Sequence, residues 1–355
     1  MKTSNIYSQA EQNLSFLMKS PSRFLRTFKR RGYHRYLAST LRGSLGAITK
    51  FAPPTKKRIK AIMALLQFID FRVPGILKMT PVSEIFLKDV AECLGISPDK
   101  VGIYVGEPDT NQKLVIIDTE GQSNFVLKMA VGKNADSAIR REVKSLLDAR
   151  SLKICMNHLN PSSEIINLDI PQVFEIEPIC GKTVIKIERI YGKQLTSEEF
   201  KDVFFSNENV LLQKFSGVIN GGLSIDDWLN SSDHLKAISL DLDVEIKACR
   251  EFGALELQSE IGIVHGDFAP WNVIKHRNNG KRSNLNNDKI FHNSKSLCLV
   301  DWEYSTASVP LVFDYAYAAW CISELLDKKI YSVDQRLWQQ LVSLGSLWRE
   351  LRKVI

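Results

Sequence analysis

The run Ile263-Val-His-Gly-Asp-Phe-Ala-Pro-Trp-Asn272, followed by Leu299-Val-Asp-Trp-Glu303, decides how the rest of this chain is read. It sets His265, Asp267 and Asn272 at the spacing H-x-D-x-x-x-x-N, then adds Asp301 and Glu303 at the end of an apolar strand. Asp267 can accept a hydroxyl proton or orient the hydroxyl that carries it. Asn272 and Asp301 are hard oxygen donors of the kind Mg²⁺ takes. Glu303 either assists a metal, contacts an acceptor, or only caps the strand end.

Upstream of this run the pattern is β-rich. Val101 to Val105, Leu114 to Asp118 and Asn124 to Ala130 read as strands, and Asp136 to Arg150 reads as a helix with Ala138, Val143, Leu146 and Leu147 on its apolar side. Pro171 to Glu177 and Thr183 to Ile190 read as two further strands, with Gly192 ending the last. From Thr196 onward helical spacing takes over, at Glu198–Phe205, Asn209–Phe215, Ile225–Leu229, Val244–Ser259, Tyr315–Leu326 and Val333–Val354. Within that half, residues 275–296 form an Asn-rich, basic insert that reads as a long exposed hairpin loop between Asn272 and Asp301.

Protein kinases carry the same H-x-D-x-x-x-x-N spacing in their catalytic loop. H-G-D in place of H-R-D, and Asp301-Trp-Glu-Tyr304 in place of D-F-G, make the chain resemble the aminoglycoside phosphotransferase and choline kinase superfamily of small-molecule kinases. The resemblance covers roughly residues 80–350, with its specific part around the site. It implies an α+β, two-lobed protein-kinase-like fold, with a small β-rich ATP lobe and a larger helical lobe. It also implies an ATP- and Mg²⁺-dependent enzyme that moves the γ-phosphoryl group to a hydroxyl of a small polar molecule, such as a sugar, an aminoglycoside-like compound or an amino-alcohol.

On this resemblance Lys128, in the strand Phe125-Val-Leu-Lys-Met129, is the cation for the α/β-phosphates, and Glu142 is its ion-pair partner. Asp267 is the base or orienter, with His265 beside it in a structural part rather than as a proton carrier. Asn272, Asp301 and Glu303 make the metal set. Glu188-Arg-Ile-Tyr-Gly192 resembles the hinge, where backbone groups at Glu188 and Ile190 would meet adenine, and Asp314 would brace the catalytic loop. Two departures stand out. The loop Gly106-Glu-Pro-Asp-Thr-Asn111 has one Gly rather than G-x-G-x-x-G, and the interval from Asn272 to Asp301 is 29 positions, lengthened by the insert.

A different class of reading is a catalytically silent kinase-like protein that serves as a binding module, motivated by the single-Gly loop and the insert. A different acceptor is a choline-like quaternary amine, since Trp271, Trp302, Tyr304, Tyr315 and Trp320 cluster around the site in sequence. The bland reading of the same residues is core of the large lobe.

The remaining 7 − 13 = −6 of charge lies outside residues 1–69, which hold fourteen Lys or Arg against the single acid Glu11, or +13 of the net +7. Residues 1–78 therefore read as a basic helical N-terminal extension, with 79–191 the nucleotide-binding lobe and 192–355 the catalytic lobe carrying the insert. In the extension Phe24, Leu25, Phe28, Tyr36, Leu37 and Leu41 recur at helical spacing, and Ile59–Phe68 reads as a second helix. The extension is expected either to pack on the small lobe or to lie against an anionic membrane, while an organellar transit segment is disfavoured because the apolar spacing continues through residue 69. No nucleic acid partner is expected, because no recognised motif accompanies the charge. Six scattered Cys without a C-x-x-C pair fit a reducing cytosol, and no apolar run reaches the roughly 18 residues a span needs. A cytoplasmic protein is expected, peripheral at an inner membrane face and, by analogy with similar phosphotransferase-like proteins, connected with bacterial surface polysaccharide.

Overall fold

The computed structural model describes residues 14–18, 21–30, 33–38, 77–106, 110–151, 166–204, 222–276, 295–325 and 334–355. The chain divides into two compact units, Met1–Val143 with Pro171–Arg189, and Lys144–Ile170 with Ile190–Ile355.

The first unit is built on strands β1 (Pro21–Arg30), β2 (Tyr33–Ala38), β3 (Leu77–Ser83), β4 (Val101–Val105), β5 (Lys113–Asp118) and β6 (Phe125–Ala130). Helices α1 (Glu84–Leu94) and α2 (Ala135–Ser151) interrupt them. The chain then supplies β7 (Ile166–Asp169) to the second unit before returning with β8 (Val173–Glu175) and β9 (Val184–Glu188). One antiparallel sheet results, in the order β3-β1-β2-β4-β5-β6-β9-β8. Its core joins Val101, Ile103, Leu114, Ile116, Leu127 and Met129 from the sheet to Phe86, Leu87, Val90 and Leu94 of α1.

Helix α1 follows from its own sequence. The Ser83 hydroxyl accepts the Phe86 N–H at its start, and the Gly95 N–H closes on the Ala91 and Glu92 carbonyls at its end. Between them Phe86, Leu87, Val90, Ala91 and Leu94 form one buried stripe.

The basic helix expected over residues 23–41 is not what forms. β1 and β2 make a hairpin, with Thr27 opposite Leu37 and Arg26 opposite Ala38. β1 also pairs with β3, and β2 pairs with β4, placing Leu37 opposite Ile103. Short aromatic-rich runs fit either period, so the outcome is set by pairing with strands distant in sequence. Leu25 and Leu37 are buried in the same core as α1. An amphipathic membrane-surface helix is thus not formed by residues 21–38. The second expected helix, Ile59–Phe68, and Asn209–Phe215 lie outside the described residues.

Asp118 ends β5 and organises the turn into β6. Its carboxylate accepts the N–H of Glu120 and of Ser123, each at 2.8 Å, and also the N–H of Gln122. Burial pushes this carboxyl up, but the backbone donors outweigh burial and hold it below its ordinary value. A lowered folded-state value means stability that is present above the unfolded value of about 3.9 and is lost as the pH falls through the folded value. Asp118→Ala is therefore expected to lower unfolding free energy by about 1–3 kcal/mol at pH 7. In urea titrations the gap from wild type should narrow between pH 5 and the acid range; a gap independent of pH would refute this account.

The second unit begins again after Arg189. β10 (Gly192–Gln194) precedes helices α3 (Ser197–Phe204), α4 (Ile225–Leu229), α5 (Asp233–Asp241) and α6 (Asp243–Glu251), with the short strand β11 (Leu223–Ser224) before α4. β12 (Gln258–Ser259), β13 (Ile261–Val264), β14 (Val273–His276), β15 (Lys295–Leu299) and β16 (Thr306–Pro310) follow, then α7 (Val312–Trp320) and α8 (Gln335–Leu351). The expected single helix Val244–Ser259 is instead α6, a turn at Ala254–Glu256, and β12, because the chain reverses at Gly253. α5 has no counterpart among the expected helices.

β14 and β15 are the antiparallel stems of a hairpin, Val273 opposite Leu299, and the tip of the 275–296 insert lies outside the described residues. They sit in a sheet ordered β10-β14-β15-β7. β13 pairs with β16. α7 is buried along all nine of its residues, so it forms the centre of this unit, and α8 packs on it. The Phe313 and Trp348 rings stack at 4.6 Å between centroids. Gly345 permits this approach: a Cβ there would overlap the Ala316 carbonyl oxygen. Among the described residues no helix is long and apolar enough to cross a membrane.

Candidate active site

The loop that follows β13 is held from three directions within the second unit. From α7, the Asp314 carboxylate accepts the backbone N–H of His265 and of Gly266, each at 2.9 Å. Asp314 is fully buried, and these charge-assisted bonds fix the two residues ahead of Asp267. The bracing role that the resemblance implied for Asp314 has this geometry. From α8, the Trp348 indole Nε1 and the Arg352 Nη1 both donate to the Gly266 carbonyl, each at 2.9 Å.

The third hold comes from the end of β15. His265 is 1% exposed, and its ring stands edge-on to Trp302 with centroids 4.8 Å apart. The Asp267 N–H donates to His265 Nδ1 at 3.2 Å, so Nε2 carries the ring proton and donates to the Val300 carbonyl at 3.0 Å. Both nitrogens are thereby used in ordering the loop. The Val300 N–H in turn donates to the Asn272 carbonyl at 2.9 Å. Strand end and loop are stitched together one residue before Asp301.

Asp267 and Asn272 meet directly. The Asn272 Nδ2 donates to the Asp267 carboxylate Oδ2 at 2.8 Å and to the Asp267 backbone carbonyl at 2.9 Å. With both amide hydrogens so placed, the Asn272 Oδ1 is the atom left to accept or ligate. Asp301 follows with φ +69°, a left-handed conformation that non-Gly residues seldom adopt and that Asp tolerates better than most. Such conformations concentrate at ligand-binding positions. Asp301 and Glu303 are both half-buried. Asn272 Oδ1 and the Asp301 carboxylate are both oxygen donors, the ligand chemistry that suits Mg²⁺.

Arg352, just beyond the end of α8, is the residue that sequence reasoning missed. Its Nη1 lies 2.6 Å from Asp267 Oδ1, and its Nη2 donates to the Tyr317 hydroxyl at 2.7 Å. The guanidinium carbon lies over the rings of both Tyr304 and Tyr317, at 4.4 and 4.1 Å from their centroids. Burial alone would pull this guanidinium down, but Asp267 and its other neighbours outweigh burial and raise it, so the charge is permanent. Burial and then the Glu303 carboxylate push the Tyr304 phenol up to about 12, and burial with Asp267 raises Tyr317 as well. Both phenols stay protonated. Of the aromatic cluster noted in sequence, Trp302, Tyr315 and Trp320 are buried, and Tyr304 faces Arg352.

In the first unit, Lys128 on β6 and Glu142 on α2 form an ion pair at 2.6 Å, with side chains 14% and 1% exposed. One residue comes from a strand and the other from the helix that follows it. Glu188 ends β9, where its carboxylate and N–H bond the Gln172 N–H and carbonyl, and Ile190 opens the second unit.

Solved structures similar to this chain include an antibiotic–ATP complex and an ethanolamine kinase. A ternary complex of streptomycin, ATP and APH(2")-IIa aligns with 67% of this chain and 76% of its own, at 15% identity and a TM-score of 0.36. Plasmodium vivax ethanolamine kinase aligns with 75% of each chain, at 14% identity and a TM-score of 0.33. No protein-family model matches the chain, and no curated protein does.

Proposed function

We propose that the protein is an ATP- and Mg²⁺-dependent phosphotransferase whose acceptor is a hydroxyl of a small polar molecule. The observation that carries this reading is the Asp267 carboxylate, gripped by Asn272 on one oxygen and Arg352 on the other in a loop braced by Asp314. Phosphoryl transfer asks mainly for positioning and charge compensation, and this loop supplies a rigidly placed acceptor for a hydroxyl hydrogen bond.

Asp267 would orient the acceptor hydroxyl and take up its proton as the new O–P bond forms and the bond from the γ-phosphorus to the ADP oxygen breaks. Lys128, held by Glu142, would meet the nucleotide phosphates, and backbone groups at Glu188 and Ile190 would meet the adenine. Asn272 and Asp301, with Glu303 as a further acid, would hold Mg²⁺. Held there, such an ion would supply charge neutralisation to the transferred phosphoryl group. His265 has its part in loop order, not proton transfer.

A silent binding module is the competing reading, motivated by the single-Gly loop. Thermal unfolding with ATP and Mg²⁺, together with radiolabelled transfer to a panel of sugars, aminoglycosides and amino-alcohols, separates the two. At ligand 100-fold above its Kd, stabilisation of about 2.7 kcal/mol is expected. Stabilisation with no transfer to any acceptor or to water would favour the silent module, and no stabilisation at all would remove the nucleotide from the proposal.

A further inference from the structure

We infer that Arg352 is the positioning residue of the candidate catalytic carboxylate, a resident cation occupying a box made of Asp267, Tyr304 and Tyr317. The inference rests on the phosphotransferase reading and assigns a role that no sequence motif marks.

The box holds both terminal nitrogens of the guanidinium, while the buried Nε has no hydrogen-bond partner among the described residues. Nη1 bridges the Asp267 Oδ1 and the Gly266 carbonyl, Nη2 is anchored on the Tyr317 hydroxyl, and the guanidinium carbon lies over both the Tyr304 and the Tyr317 rings. The side chain is 10% exposed. A planar fork with fixed donor directions meets these demands together, whereas a lysine ammonium is a point charge that satisfies one. The consequence for Asp267 is rotational. With Oδ1 tied to Arg352 and Oδ2 tied to Asn272, the carboxylate cannot turn about its Cβ–Cγ bond. A carboxylate has about four lone-pair directions, more than Arg352, Asn272 and the neighbouring Tyr317 hydroxyl use, so a hydroxyl can be met without displacing a partner.

The same box bears on the acceptor. Two aromatic faces beside a carboxylate are what a quaternary or primary ammonium seeks. Here the chain's own guanidinium lies over both rings, so an acceptor's cationic head would compete with Arg352 for them.

Full-length Arg352→Ala and Arg352→Lys, assayed for ATP-dependent transfer and for ATP hydrolysis with water as acceptor, test the inference. Arg352→Ala should lose kcat by about 100-fold, the scale of a misplacement near 1 Å, with KM for ATP little changed. Methylguanidinium at millimolar concentration should restore kcat saturably in Arg352→Ala, and should do nothing for wild type. Arg352→Lys should fall between the two. Should Arg352→Ala not fold, Tyr317→Phe, which removes the Nη2 anchor together with the phenol's own contact to Asp267, should still lower kcat with KM for ATP held. Near-wild-type kcat in folded variants, or methylguanidinium raising thermal stability without raising kcat, would overturn the positioning role. Inactivity of the wild type instead sinks the phosphotransferase reading, and saturable methylguanidinium binding by Arg352→Ala would then test the box alone.

Discussion

Asp267→Asn is expected to lower phosphoryl transfer by about 10²–10⁴-fold, the range lost when a positioned proton acceptor is removed. The amide is nearly isosteric, so the Arg352 Nη1 can keep a carbonyl oxygen as its partner where Oδ1 now stands. The side facing Asn272 then presents an NH₂ to the Asn272 Nδ2, two donors where a donor and an acceptor now meet at 2.8 Å. One lost bond of this kind costs about 1–3 kcal/mol, enough to show in a melting curve and too little to unfold a chain of this size. ATP-dependent thermal stabilisation should survive, because the proposed nucleotide contacts lie on other residues. Asp267→Ala should be worse folded than Asp267→Asn, since it leaves the Arg352 charge buried without a counterion. Single-turnover transfer measured beside the ATP thermal shift checks this, and turnover within a few fold of wild type would remove Asp267 from the reaction.

Much of this arrangement was legible in the sequence because it is local or repeats a known order. The strands carrying Lys128 and preceding Asp301, the helix carrying Glu142 and the loop from His265 to Asn272 all announce themselves by period and punctuation. The N-terminal hairpin did not. Its aromatic spacing is compatible with a helix, and only pairing of β1 with β3 and of β2 with β4 decides the matter. Arg352 was illegible for a similar reason. It lies 85 positions from Asp267, in a stretch that reads as the polar end of an amphipathic helix, and nothing local distinguishes it from Arg349. What places it is the packing of α8 on α7, with Gly345 and the Phe313–Trp348 stack setting the depth. Long-range contacts of this kind carry no periodic signature, so a site residue supplied by one is seen only in the fold.

Gly266→Ala should be the most damaging single-methyl change in the second unit. Gly266 has φ +80°, and an added Cβ would overlap the Tyr304 carbonyl oxygen, a backbone atom that cannot swing aside as a side chain could. Left-handed backbone costs a non-Gly residue about 1–2 kcal/mol, and the clash adds to that. The loop must therefore shift, and its shift cannot be private to Gly266. The Gly266 N–H is held by Asp314, its carbonyl by Trp348 and Arg352, and the next residue is Asp267. Displacement of the carboxylate by even 1 Å is enough to lower turnover by about 100-fold. Gly121→Ala separates the two components. Gly121 has nearly the same φ, +81°, but only the Arg189 Nη2 stands near its would-be Cβ, at 3.8 Å, in a turn of the first unit. It should show the backbone cost in urea unfolding while keeping turnover. Gly266→Ala should show a larger loss of stability and a collapse of kcat. Equal stability losses with kcat unaffected in both would mean that the Tyr304 backbone yields, and that Gly266 serves conformation alone. The glycine at this position is then explained by a neighbour: with the Tyr304 carbonyl against it there is no room for a side chain, and the arginine beside the Asp267 carboxylate comes from 85 positions further along the chain.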